Sequence, residues 1–140
     1  MSKVSNQLVS IYSWAAGILD GEGSVMLTSA KQGEFRSPTI CVYNTSIELI
    51  RPFQKYFGGR VFTKKKYKKH HASCFTWQAN RGEALMCLEK LLPYLRHPLK
   101  VRRAKYLVSR YAKTVVRNGK YSKQELQIKR TFEKKFFQLS

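Results

Sequence analysis

The sequence predicts an α+β fold: an α-β-β-α-β-β-α core with an antiparallel sheet and helices on one face, followed by C-terminal helices. Three observations predict it. Apolar residues recur at helical spacing in some segments and at strand spacing in others, in that order. The strand-like segments come in neighbouring pairs, which makes the pairing antiparallel and leaves the helices to cover one face. Hydrophobic residues make up 43% of the 140-residue chain and aromatics 13%, enough for a packed core. A chain of this length is expected to form one domain, residues 1–140, with its core over about 8–117 and a last helix over 122–139.

The first helix is read from Leu8, Ile11, Tyr12, Ala15, Ile18 and Leu19. Beyond Gly23 the period changes: "SVMLTSAK" and "FRSPTICVY" read as strands joined by a loop around Gln32-Gly33. "TSIELIRPFQKYFGG" reads as a helix, with Thr45 and Glu48 spaced as a capping box and Gly58-Gly59 as its stop. Pro52 within it predicts a kink or a late start. The second strand pair is "RVFTKKKYKK" and "SCFTWQAN". "EALMCLEKLLPYL" follows as an amphipathic helix, and Pro98 opens another with the stripe Val101, Ala104, Val108, Tyr111 and Val115, ended at Asn118-Gly119. Ser122 and Glu125 form a second capping box before a final helix carrying Ile128, Phe132, Phe136 and Leu139.

Charge narrows the function. Lys and Arg number 27 against 8 acids, a net charge of +19. Such self-repulsion is usually compensated by a polyanion. The basic residues are spread over strands and helices alike, whereas a membrane-surface protein gathers them opposite one apolar helix face. Nucleic acid is therefore the expected partner, and no membrane association is expected. No uncharged apolar run is long enough to span a bilayer, and the N-terminus lacks the pattern of a secretory signal. Cys41, Cys74 and Cys87 are odd in number, with no CxxC pair, and with His70, His71 and His97 they make too thin a set for zinc. The expectation is a reducing, intracellular setting, with no organelle assigned.

An antiparallel sheet covered on one side leaves its other face open. Alternation places Ser24, Met26, Thr28 and Ala30 there, with Phe35, Ser37, Thr39 and Cys41, then Phe62, Lys64 and Lys66, then Cys74, Thr76 and Gln78. "TKKKYKKHH" is the densest basic run. A two-stranded ribbon fits the major groove, and a strand of about eight residues spans about eight base pairs. Among these residues only the lysines and Gln78 are strong donors to bases or phosphates, so apolar contacts, water and DNA deformability would carry much of the reading.

Where the first helix ends, "AAGILDGEG", Ala15 to Gly23, resembles the LAGLIDADG signature. Gly17, Asp20 and Gly23 match it, Ala16 matches its alanine, Ile18 and Leu19 are apolar in kind, and Glu22 stands at its second acidic position. Ala15 and Gly21 depart from it mildly. With the element order, the sequence is similar to the single-motif LAGLIDADG homing endonucleases, whose sheet is saddle-like. One motif copy implies a homodimer, with Ala16, Gly17 and Asp20 at the interface where the two motif helices pair. The resemblance further implies double-strand cleavage of a long, pseudo-palindromic double-stranded DNA target, and a mobile intron or intein context.

Phosphodiester hydrolysis calls for a divalent metal with hard oxygen ligands. The resemblance assigns Mg2+, or Mn2+ or Ca2+ in the same place, to Glu22 and the Gly21 carbonyl. It assigns Lys100 as the basic active-site residue, with Arg102 and Arg103 as neighbouring registers, and Asn44 as the polar residue that positions water. Asp20 is read mainly as a structural brace, and Trp14, Ile18 and Leu19 as core or interface. The family's further basic residue falls near Glu48 and Leu49, where Arg51 is the nearest candidate. Two alternatives use the same scaffold: a maturase that binds intron RNA, and a DNA-binding protein without catalysis. Retention of Glu22 favours the enzyme, because a carboxylate beside phosphates gives a pure binder nothing.

Overall fold

The computed structural model describes residues 5–64, 73–116 and 120–140. Along the chain run α1 (Asn6–Glu22), β1 (Gly23–Thr28), β2 (Ser37–Asn44), α2 (Ile47–Phe57), β3 (Arg60–Lys64), β4 (Cys74–Asn80), α3 (Arg81–Leu91), α4 (Pro98–Arg110) and α5 (Lys123–Phe137). Short 3-10 turns follow α3 at Leu92–Tyr94 and α4 at Tyr111–Thr114. All strand pairs are antiparallel and the sheet order is β1-β2-β4-β3, so each hairpin contributes one central strand, β2 or β4. The predicted α+β architecture is the one observed. Among the described residues no helix is long and apolar enough to cross a membrane.

Local chemistry explains the element ends. Ser5 Oγ accepts from the Leu8 amide at the start of α1. At α5 the predicted capping box forms: the Glu125 amide donates to Ser122 Oγ and the Ser122 amide to the Glu125 carboxylate. The predicted box at Thr45 and Glu48 does not form. The Ser46 amide donates instead to Asn44 Oδ1, an Asx turn that delays α2 to Ile47, and Ser46 Oγ donates to the Glu48 carboxylate. The helix then runs through Pro52 to Phe57. After it, Gly58 and Gly59 take φ values of 75° and 80°. A Cβ on Gly59 would lie 2.6 Å from the Gln78 carbonyl oxygen. That tight turn lets Trp77 Nε1 donate to the Gly58 carbonyl at 2.8 Å and seats the indole at the centre of the core.

One core lies between the sheet and its helices. It takes Val25, Leu27, Ile40, Val42, Trp77 and Ala79 from the strands. Ala15, Ala16 and Leu19 of α1, Phe53 and Phe57 of α2, Leu88 and Leu91 of α3, and Leu107 of α4 pack on them. Phe132 and Phe136 bring α5 into the same cluster. The third strand was expected to continue to Lys69; residues 65–72 and Asn118-Gly119 lie outside the described residues.

Candidate active site and nucleic-acid interface

Helix α1 ends in Asp20 and Glu22, at the pole where the helix dipole disfavours carboxylates. The surrounding chain compensates for this. Lys100, in the first turn of α4, donates its Nζ to the carbonyls of Leu19 at 2.9 Å and Asp20 at 2.5 Å. It thus brings a positive charge onto the negative pole. Burial lowers the Lys100 pKa, and the Asp20 charge opposes that shift. The Asp20 carboxylate accepts from the backbone amides of Arg96 (2.9 Å) and His97 (3.0 Å), bracing the turn that leads into α4. His97 in turn caps α4 through Nδ1.

Glu22 is exposed, and Asn44 Nδ2 donates to its Oε2 at 2.6 Å. Asn44 is itself oriented, because its Oδ1 is held by the Ser46 amide. One Glu22 oxygen is therefore fixed, and the other, Oε1, has no hydrogen bond among the described residues. The Gly21 carbonyl lies in the last turn of α1, where carbonyls have no helical amide left to accept from. Among the described residues no three His, Cys, Asp or Glu side chains gather into a cluster. One chain thus offers a single oriented carboxylate and helix-end carbonyls, hard oxygen donors that suit Mg2+ or Ca2+ rather than a thiophilic metal.

Gly23 is needed for close approach: a Cβ there would lie 2.3 Å from Leu19 Cδ1 and 3.0 Å from the Leu19 backbone. Gly17 and Gly21 differ, since a Cβ on either meets nothing in the chain. With Ser10 and Ser13 they form an exposed small-residue stripe along α1. Ala16, expected at a helix-pairing surface, is instead wholly buried in its own core, because it sits about 100° around the helix from Gly17. Asp20, expected at the same surface, has both carboxylate oxygens engaged within its own chain.

Strand register puts the predicted open-face residues on one side of the sheet. Ser24 faces Cys41, Met26 faces Thr39 and Thr28 faces Ser37. Cys41 then faces Gln78, while Phe62 and Lys64 face Thr76 and Cys74. Thr39, Cys41 and Thr76 are only 2–3% exposed, so these short side chains lie beneath their taller neighbours. Thr28 and Thr39 share a hydroxyl–hydroxyl bond, Asn80 Nδ2 donates to Thr39 Oγ1, and Gln78 Nε2 donates to Asn80 Oδ1. Burial raises the Cys41 thiol pKa, keeping it neutral. Two expected members leave the row: Ala30 lies past the end of β1, and the Phe35 ring turns onto Tyr121, 5.8 Å away. Lys66 lies outside the described residues.

Sequence reading missed Arg60, Tyr43 and Asn80 on this face, although each continues the alternation by two residues from Phe62, Cys41 and Gln78. It also left the register among Lys100, Arg102 and Arg103 open. Lys100 is the residue that reaches the end of α1, whereas Arg103 donates to the Val25 carbonyl at the outer edge of β1, with its guanidinium 5.3 Å from the Phe136 ring.

No family model matches the sequence, and no curated protein does either. Solved structures do match by fold. The homing endonuclease I-CvuI, in complex with its target in the presence of calcium, superposes with a TM-score of 0.67 at 19% identity, over 97% of this chain and 85% of that one. The group I intron-encoded homing endonuclease I-CeuI, complexed with DNA, gives 0.51 at 17% identity over 81% and 59%. The LAGLIDADG homing endonuclease I-SmaMI, bound to cleaved DNA, gives 0.51 at 16% over 99% of this chain and 50% of that one. At these identities the likeness is one of architecture: the chain has the α+β fold of the LAGLIDADG homing endonucleases.

Proposed function

We propose that this chain is a site-specific DNA endonuclease that acts as a homodimer and requires a divalent metal. The observation that carries the reading is Glu22, oriented by Asn44 at the end of a helix neutralised by Lys100, beside the open sheet face of a chain whose net charge is +19. The shared fold with proteins solved on DNA supports it. So does the stripe at Gly17 and Gly21, since a helix would favour alanine by about 1 kcal/mol at each place unless another surface came close. A second copy of α1 packed there would bring two Glu22 carboxylates together. The match to half of I-SmaMI accords with a chain that supplies one of two equivalent units.

Glu22 and the Gly21 carbonyl would hold the metal, Mg2+ by preference. When bound it lowers the pKa of a water and offsets charge on the phosphoryl oxygens. The chain's own residues do the rest. Asn44 holds the carboxylate through Oε2 and leaves Oε1 without a hydrogen bond among the described residues. Lys100 holds the last turn of α1, and with DNA bound across that end it would offset charge on the scissile phosphate. Asp20 keeps the turn before α4 in place and so keeps Lys100 in reach. The sheet face would carry the duplex through Arg60 and Gln78, with Met26 and Phe62 as apolar contacts, and Lys64 shares that face by strand register.

The test is a duplex library with randomised, inverted half-sites, incubated with the chain and Mg2+, followed by sequencing of cut ends and by solution mass of the complex. Cuts in both strands at one symmetric site, made by a two-chain complex, are expected. Specific binding without cuts would leave a regulator on the same scaffold and remove the catalytic assignments.

A further inference from the structure

Helix α5 grips the loop between β1 and β2 through contacts far from the carboxylate centre. Lys129 is only 4% exposed, and its Nζ stands 5.5 Å from the Phe35 ring centroid and 5.4 Å from those of Tyr111 and Tyr121. It also donates to Tyr121 Oη at 3.4 Å. Among the described residues no carboxylate lies within ion-pair distance of it. One turn further on, Glu133 accepts from the Arg36 amide at 3.1 Å and from its guanidinium at 2.8 Å, and that guanidinium lies 5.1 Å from the Phe137 ring. Two successive loop residues, Phe35 and Arg36, are thus held by two α5 residues four apart, on one helix face.

A buried ammonium loses solvation that an apolar residue would not, so packing alone does not account for Lys129. What the cation adds is direction, because it is attracted to ring faces and not to ring edges. The Phe35 ring is thereby set in one orientation. Glu34 and Phe35 of the same loop wall a polar hollow at the outer end of the open sheet face, which Thr28, Arg60, Gln78 and Arg81 also line. Its floor is already ordered by the Gln78–Asn80–Thr39 hydrogen bonds. At its rim, Arg81 holds a φ of 50°, unusual for a residue with a Cβ.

We infer that α5 is a positioning element for sequence reading: Lys129 and Glu133 hold the β1–β2 loop so that this hollow meets the outer base pairs of each half-site in one shape. The inference rests on the DNA reading proposed above. Among the described residues, Lys129 and Glu133 make no hydrogen bond or ion pair to the strands of the open face and act through Phe35 and Arg36.

Lys129→Ala and Glu133→Gln test it in the full chain. Amide hydrogen exchange over residues 29–36 is measured without DNA, and base preference is read from the randomised library. Both variants should speed loop exchange by about tenfold while α2 and α3 keep theirs. Discrimination should fall several-fold at the outer base pairs alone, with the preference near the centre and the saturating cleavage rate unchanged. Lys129→Ala opens a cavity and can lower global stability; Glu133→Gln keeps the shape and isolates the grip. Unchanged loop exchange overturns the inference. Faster exchange with an unaltered base profile does too, as does a loss spread evenly over all positions. A native chain that neither binds nor cuts the library defeats the DNA reading itself, and is told apart because the exchange arm needs no DNA.

Discussion

Glu22 and Asn44 make the sharpest residue-scale test. Glu22→Gln keeps the shape and removes the charge, so cleavage should fall by at least about 100-fold while DNA affinity stays within a small factor. Asn44→Ala frees Glu22 Oε2 and should cost about 10–100-fold in rate or metal affinity, the range for groups that orient a ligand. Substitution kinetics in Mg2+, with binding measured in Ca2+, separate the two effects. Gly23→Ala forces a contact with the Leu19 backbone and should destabilise the fold by about 1–3 kcal/mol in a denaturant titration. Much at this scale was legible in the sequence. The run Ala15 to Gly23 is local, so its acids could be picked out from the family resemblance that the run itself carries. The bracing role read for Asp20 was legible, but its partners were not, because the amides of Arg96 and His97 lie 76 and 77 residues away and carry no side-chain signature.

At the scale of elements, α1 and the sheet face yield separate predictions. Gly17→Ala meets nothing within the chain and favours the helix, so the single chain should gain up to about 1 kcal/mol of stability. If α1 pairs with a second copy, Gly17→Leu should shift sedimentation from dimer to monomer and abolish double-strand cutting. The cysteines report on the sheet. Cys87 and Cys41 are buried, with pKa values raised chiefly by desolvation, while Cys74 is half-buried on the open face. One thiol per native chain should therefore alkylate quickly, and bound DNA should protect it. The two faces of the sheet were legible because strand alternation is strict, as Val25 against Met26 and Trp77 against Gln78 show. The depth of Thr39, Cys41 and Thr76 was not, since it depends on the height of neighbours on adjacent strands. The capping box expected at Thr45 and Glu48 failed for a local reason: Asn44 offered its own Asx turn and outcompeted the Thr45 cap.

For the whole molecule, a charge of +19 predicts that the proposed DNA association is steeply salt dependent, with log K falling by about 0.9 per phosphate contacted for each tenfold rise in salt. That dependence tests only the polyanion. The order of elements and their apolar faces were readable along the chain, and so the architecture was too. The packing of α5 onto the β1–β2 loop was not, because Lys129 and Phe35 meet as a cation and a ring face with no pattern in either segment. The most direct test of the central claim is cleavage of the selected symmetric duplex by the native chain and by Glu22→Gln, side by side, at protein concentrations where both are bound. Double-strand breaks by the native chain in Mg2+, and intact duplex with the variant at equal occupancy, are the predicted result. Equal cleavage by both chains would contradict the account and move the chemistry away from the end of α1.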